Sequence, residues 1–165
     1  MKKQFFALVL LVLPLIPMAK GAGYGHTEWG MRPSEVVTAQ NGKAHLISPE
    51  KYPNSWGKVR IDDVNIGGSL YNVTFLFDAS DHLIQTNVTS NEKKNEGIIL
   101  RQFDSLHQLL TQKYGKPLFE GVNKVTWKID DTTIELSKMV ISGILAQTSV
   151  RYVPNSRVSN DTSAL

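Results

Sequence analysis

The sequence predicts an α+β fold in which two helices pack on one face of an antiparallel sheet. Three observations predict it. Helix-start signals mark one window and helical spacing of apolar residues marks another, and six further windows read as strands, several of them alternating apolar with polar residues. The links between successive alternating windows are too short for anything but antiparallel pairing. The order is α-β-β-β-α-β-β-β, which suggests a tandem αβββ repeat.

The first helix opens in "TEWGMRPSEVVTAQNG", residues 27–42. Pro33 suits the first helical position, where its missing N–H costs nothing. Arg32 then becomes the N-cap, Glu35 reaches back to the N-cap amide, and Met31 and Val36 form a hydrophobic staple. The helix is expected over Pro33 to Gln40, closed by Asn41-Gly42 in the left-handed region. Trp29, beside Met31, is expected to fold over the helix start. Residues 45–58, "HLISPEKYPNSWGK", carry two prolines and a glycine and read as a loop.

Strands follow at "KVRIDDVNI", at "SLYNVTFLFD", where Tyr71, Val73, Phe75 and Phe77 share a face, and at "HLIQTNVTS", where Ile84 and Val88 share one. Gly67-Gly68 and Asp78–Asp81 supply the turns. From Glu96 to Tyr114 the apolar residues Ile99, Phe103, Leu106 and Leu110 fall on one helical face, and Gly115 and Pro117 end the helix. "NKVTWKID", "TTIELSKM" and "ILAQTSVRYV" complete the second set of strands, with Trp127 between Val125 and Ile129 as a core residue. The single α+β domain is placed at residues 22–153, followed by a flexible polar tail at residues 154–165.

Residues 1–21 read as a signal peptide. Lys2 and Lys3 precede an apolar stretch from Phe5 to Met18, too short to span a bilayer and broken by Pro14 and Pro17. Small residues at Ala19 and Gly21 place cleavage near Gly21, with a site after Gly23 as the alternative. The product is then periplasmic or secreted, with no stable membrane anchor. Cleavage would remove three of the 18 basic residues and none of the 15 acidic ones, bringing the formal charge to about zero. No basic run denser than Lys93-Lys94 remains, which argues against nucleic acid as a partner. The chain has no cysteine, so disulfides, thiolate catalysis and cysteine-based zinc sites are excluded.

Catalytic patterns are sparse. His26, His45, His82 and His107 lack metal-ligand spacing, and neither a nucleophile elbow nor a phosphate-binding glycine loop occurs. Three acidic pairs, Asp62-Asp63, Asp78 with Asp81, and Asp130-Asp131, fall at strand ends, where aspartate favours turns. Asn72, Asn87 and Asn160 begin Asn-x-Thr triplets, read here as chance. The candidate binding residues are Tyr52 and Trp56, two aromatics beside Lys51 and Lys58 in the expected loop, the residue types of a protein hot spot or a sugar platform.

"WGMRPSEV" resembles the helix-opening motif of small exported bacterial proteins, among them the SmpA/OmlA outer-membrane assembly lipoproteins and the β-lactamase inhibitor protein-like group. "LLTQKYGKP" is similar to the second-helix ending of exported proteins of like layout. The resemblance implies helices on an antiparallel sheet and a habit of binding proteins. Arg32 stands where a capping Ser or Thr is usual, and the absent cysteine departs from the lipoprotein type. The expectation is a non-catalytic protein-binding module without cofactors, catalytic residues or metal, whose partner is another envelope protein. The alternatives are a small-ligand or cell-wall glycan binder, and an envelope hydrolase built on an Asp pair.

Overall fold

Eight strands form one antiparallel sheet in the computed structural model, which describes residues 23–158. The expected signal peptide and residues 159–165 of the expected tail lie outside the described residues. The elements run α1 (Pro33–Ala39), β1 (His45–Tyr52), β2 (Ser55–Ile66), β3 (Ser69–Phe77), β4 (Leu83–Ser90) and α2 (Glu96–Tyr114). They continue with β5 (Phe119–Glu120), β6 (Lys124–Ile129), β7 (Thr132–Ile141), β8 (Leu145–Pro154) and α3 (Asn155–Val158). Across the sheet the order is β1-β2-β3-β4-β8-β7-β6-β5. β4 and β8 therefore form the seam between the first four strands and the last four, through the pairs Thr86–Tyr152, Asn87–Arg151, Val88–Val150 and Thr89–Ser149.

Alternation sends every second side chain to the core. Val59, Tyr71, Val73, Phe75, Phe77, Val88, Val125, Trp127, Ile134, Leu136 and Val150 are buried in one cluster. Val36 of α1 and Phe103, Leu106 and Leu110 of α2 join that same cluster, so both long helices cover one face. The segment before α1 ties the cluster together over the seam. The Tyr24 ring meets Phe75 of β3 edge-on at 6.2 Å and Tyr152 of β8 at 5.5 Å, and Trp29 Nε1 donates to Thr132 Oγ1 at 2.9 Å.

The helix starts follow from sequence. Glu35 Oε2 accepts the Arg32 N–H at 2.7 Å. Leu83 fixes the approach to α1, taking the Gly30 N–H at its carbonyl and donating its own N–H to the Met31 carbonyl. Asn41 and Gly42 follow the helix at φ 52° and 77°. Asn95 caps α2 by accepting the Ile98 N–H at 3.0 Å, and Gly115 ends it at φ 83°. No helix among the described residues is long and apolar enough to cross a membrane.

Three expectations need correction. The expected loop at residues 45–58 is a hairpin, made of β1 and the start of β2. Pro49 is tolerated because β1 is an edge strand, and the ladder is irregular between Leu46 and Glu50. Pro53 and Asn54, the latter at φ 57°, occupy turn positions that favour them. Secondly, the two-residue strand β5 is a fourth strand of the second half, as β1 is of the first, so each half holds four strands rather than three. Just after Pro154 comes the short helix α3. The Asn155 N–H bonds the Asp131 carbonyl and Arg157 lies 3.9 Å from Asp78. Lastly, a register shift opposite Leu76 and Phe77 puts Leu83 in the main cluster and leaves Ile84 outside it.

Trp127 joins sheet to helix: it is 1% exposed, and its indole donates to the Gly115 carbonyl at 3.0 Å. Trp127→Ala should cost about 3–5 kcal/mol in urea unfolding. Trp127→Phe, which keeps a ring and loses the bond to the α2 terminus, should cost less.

Candidate functional site

The second face of the sheet is covered by neither long helix, and the alternation that fills the core sets its composition. Adjacent strands align their outward residues into rows. One row runs Arg60 (β2), Thr74 (β3), Asn87 (β4), Arg151 (β8), Glu135 (β7) and Thr126 (β6). The next runs Asn72, Thr89, Ser149, Ser137 and Lys124. Short amides and hydroxyls, with charges set among them, thus make a polar floor. At one end of it Leu76, Ile84 and Val153 are buried apart from the main cluster. Thr133 Oγ1 meets Asn155 Oδ1 of α3 near that end at 2.7 Å.

Two depressions lie on this floor. One of about 440 Å³ spans the seam between Tyr52, Asn87, Ser149 and Glu135. The other, about 280 Å³, lies over β2, β3 and the end of β4, against Arg60, Asn72 and Thr74. Tyr52, Thr89 and Lys93 line both.

Most charges here are matched within the chain. Arg60 Nη2 lies 2.5 Å from Glu50 Oε2. Glu135, whose side chain is 11% exposed, takes Lys124 Nζ at 2.6 Å and the Arg151 Nε–H at 2.7 Å. Desolvation pushes the Glu135 carboxyl upward, but Lys124 and Arg151 outweigh it and hold the group below its ordinary value.

Tyr52 lies across Gly57. A Cβ at Gly57 would sit 3.1 Å from Tyr52 Cε2 and 2.8 Å from Thr74 Cγ2, so the glycine leaves the room the ring needs. Burial, then Glu50, raises the Tyr52 phenol above its ordinary value, so the ring is uncharged at neutral pH. Trp56 points the other way. It pairs with Phe77, a core residue, whereas Tyr52 pairs with Ser55 one position along. The two aromatics singled out from sequence thus lie on opposite faces, and the floor has Tyr52 alone of the pair.

Beyond the polar floor the face turns apolar. The β7–β8 hairpin outruns its neighbours, since β6 pairs with β7 only as far as Ser137 and β4 with β8 only as far as Ser149. Its free end exposes Met139 (57%), Val140, Ile141 and Ile144 (74%). Alternation places Met139 and Ile141 on the same side as Ser137.

Two of the acidic pairs, Asp78 with Asp81 and Asp130-Asp131, serve hairpin turns, whereas Asp62-Asp63, expected at a strand end, lies within β2 at a bulge between Ile61 and Val64. Asp63, Asp81 and Asp130 adopt positive φ, and the Asp78 carboxylate accepts the Ser80 and His82 amides at 2.9 and 3.0 Å. Three histidines each face a single carboxylate at a separate place: His45 with Asp62, His82 with Asp78, and His107 with Glu120.

Fold and face together define an α+β domain with a single antiparallel sheet, one side packed under helices and the other presenting a polar floor with an apolar end. No protein-family model matches the chain, and no curated protein or solved structure matches it either.

The Glu135 cluster predicts a pH dependence. Its folded carboxyl titrates below the ordinary 4.5, so its contribution is fully present above about pH 4.5 and is lost as pH falls through the folded value. Glu135→Gln should lose about 2 kcal/mol at pH 7. Urea unfolding at pH 7 and pH 3 should show the gap between variant and parent shrinking in acid.

Proposed function

We propose that the protein is an exported, non-catalytic module whose uncovered sheet face binds another protein of the cell envelope. The observation that carries this reading is the polar floor that ends in exposed Met139 and Ile141. Protein interfaces combine such apolar contact with polar groups. A glycan platform of two stacked rings is less well supported, because Tyr52 and Trp56 lie on opposite faces. A hydrolase on an Asp pair has little support, since these aspartates shape turns and, at Asp62-Asp63, a bulge in β2. Export rests on the charged and apolar pattern of residues 1–21. The two halves, each a helix followed by four strands and arranged outward from the seam, fit a tandem αββββ unit that gives the face its breadth.

A cross-linked pull-down from the native envelope, read by mass spectrometry, tests this. One partner should be recovered in near-equal amount. It should be lost with Tyr52→Ala or Asn87→Arg and kept with Trp56→Ala, each variant shown to be folded by its melting temperature. Absence of a partner at any salt concentration, or loss only with Trp56→Ala, would contradict the reading.

A further inference from the structure

Among the basic side chains lining the two depressions, Lys93 stands apart. Arg60 is matched by Glu50, and Arg151 by Glu135. The Lys93 ammonium has neither an ion pair nor a hydrogen bond among the described residues. It borders both depressions, together with Tyr52 and Thr89.

The backbone that presents it is tightly held. The Lys93 carbonyl accepts the Ala146 N–H at 2.8 Å, which fixes the turn against the start of β8. The Glu92 carboxylate accepts the N–H groups of Lys93, Lys94 and Asn95 at 3.0, 2.9 and 3.0 Å. Glu92 is thereby committed to the turn. Among the described residues the only carboxylate lining either depression, Glu135, is already shared by Lys124 and Arg151. This cation sits on a held turn at the meeting of two hollows, without a carboxylate of its own among the described residues, and is open to one brought from outside. The Lys93 side chain stays exposed to solvent, and the partial desolvation it does undergo lowers its ammonium from its ordinary value.

We infer that the uncovered face receives an acidic segment of its protein partner, with an Asp or Glu carboxylate seated on Lys93 between Tyr52 and Thr89. This deepens the reading of the face as a protein-docking surface and rests on it. The chemistry is a side-chain carboxylate meeting an ammonium, with the amides and hydroxyls of Asn87, Thr89 and Ser149 placed for the backbone around it.

Amide chemical-shift titration of the purified protein tests the inference with three probes: acetylated tetraglutamate amide, its tetraglutamine counterpart and tetragalacturonate. Tetraglutamate should give saturable shifts at Lys93, Thr89 and Tyr52, and bind about fivefold or more tighter than tetraglutamine. Lys93→Ala should remove that preference, Lys93→Arg should keep it, and added salt should weaken it. Equal binding of the two peptides, or shifts centred elsewhere, would overturn the inference. Tighter binding of tetragalacturonate would overturn it in favour of an anionic glycan. Lys93→Glu in the envelope pull-down separates this claim from the one beneath it. Loss of the partner supports acid recognition. A partner kept by Lys93→Glu but lost with Asn87→Arg would sink acid recognition and leave the docking face standing.

Discussion

The structure depends on the ladder between β4 and β8. Four residue pairs, from Thr86–Tyr152 to Thr89–Ser149, make one eight-stranded sheet of two four-stranded halves. Val88 and Val150 meet there on the core side, while Asn87 with Arg151 and Thr89 with Ser149 meet on the other. One register thus sets the centre of the core and the centre of the polar floor. A slip by one residue would exchange the two faces and bury the charges, which is why such a seam is strongly specified. Tyr24, with a ring contact on each side of the seam, reinforces it from the helix side.

Charges on the uncovered face are arranged so that the sheet tolerates them without a partner. Glu135 is largely buried yet ionised, because Lys124 and Arg151 converge on it from the strands on either side of β7. Arg60 and Glu50 do the same between β2 and β1. Pairs of this kind gain little net stability where they reach solvent, but they fix long side chains in place and so keep the floor in shape. Lys93 departs from that pattern. Its turn is held by Glu92 and by Ala146, but its charge is left open.

Helices were the most legible part of the sequence. Pro33 with Glu35, and the spacing of Ile99, Phe103, Leu106 and Leu110 ahead of Gly115, name their own positions because caps and helical faces are local. The strands Ser69–Phe77 and Lys124–Ile129 were equally plain, since alternation is local too. β1 was hidden because Pro49 and Pro53 look like loop punctuation, and only its place at the sheet edge makes them acceptable. β5 was hidden because two residues carry no period. The candidate site was legible only in part. Tyr52 could be picked out as an aromatic with basic neighbours, but pairing register decides that Trp56 turns away from it. Lys93 carried no signal beyond its charge, and what sets it apart is that Arg60 and Arg151, distant in sequence, have their own carboxylates.

The most direct measurement compares the two sides of the molecule. A photo-activated cross-linking residue would be placed at Asn87, in the middle of the floor, and separately at Gln108 on α2, then activated in the native envelope. If the uncovered face is the docking surface, Asn87 captures one defined protein and Gln108 does not. Capture from Gln108 alone would mean that the helix side makes the contact, and would contradict the account at its centre.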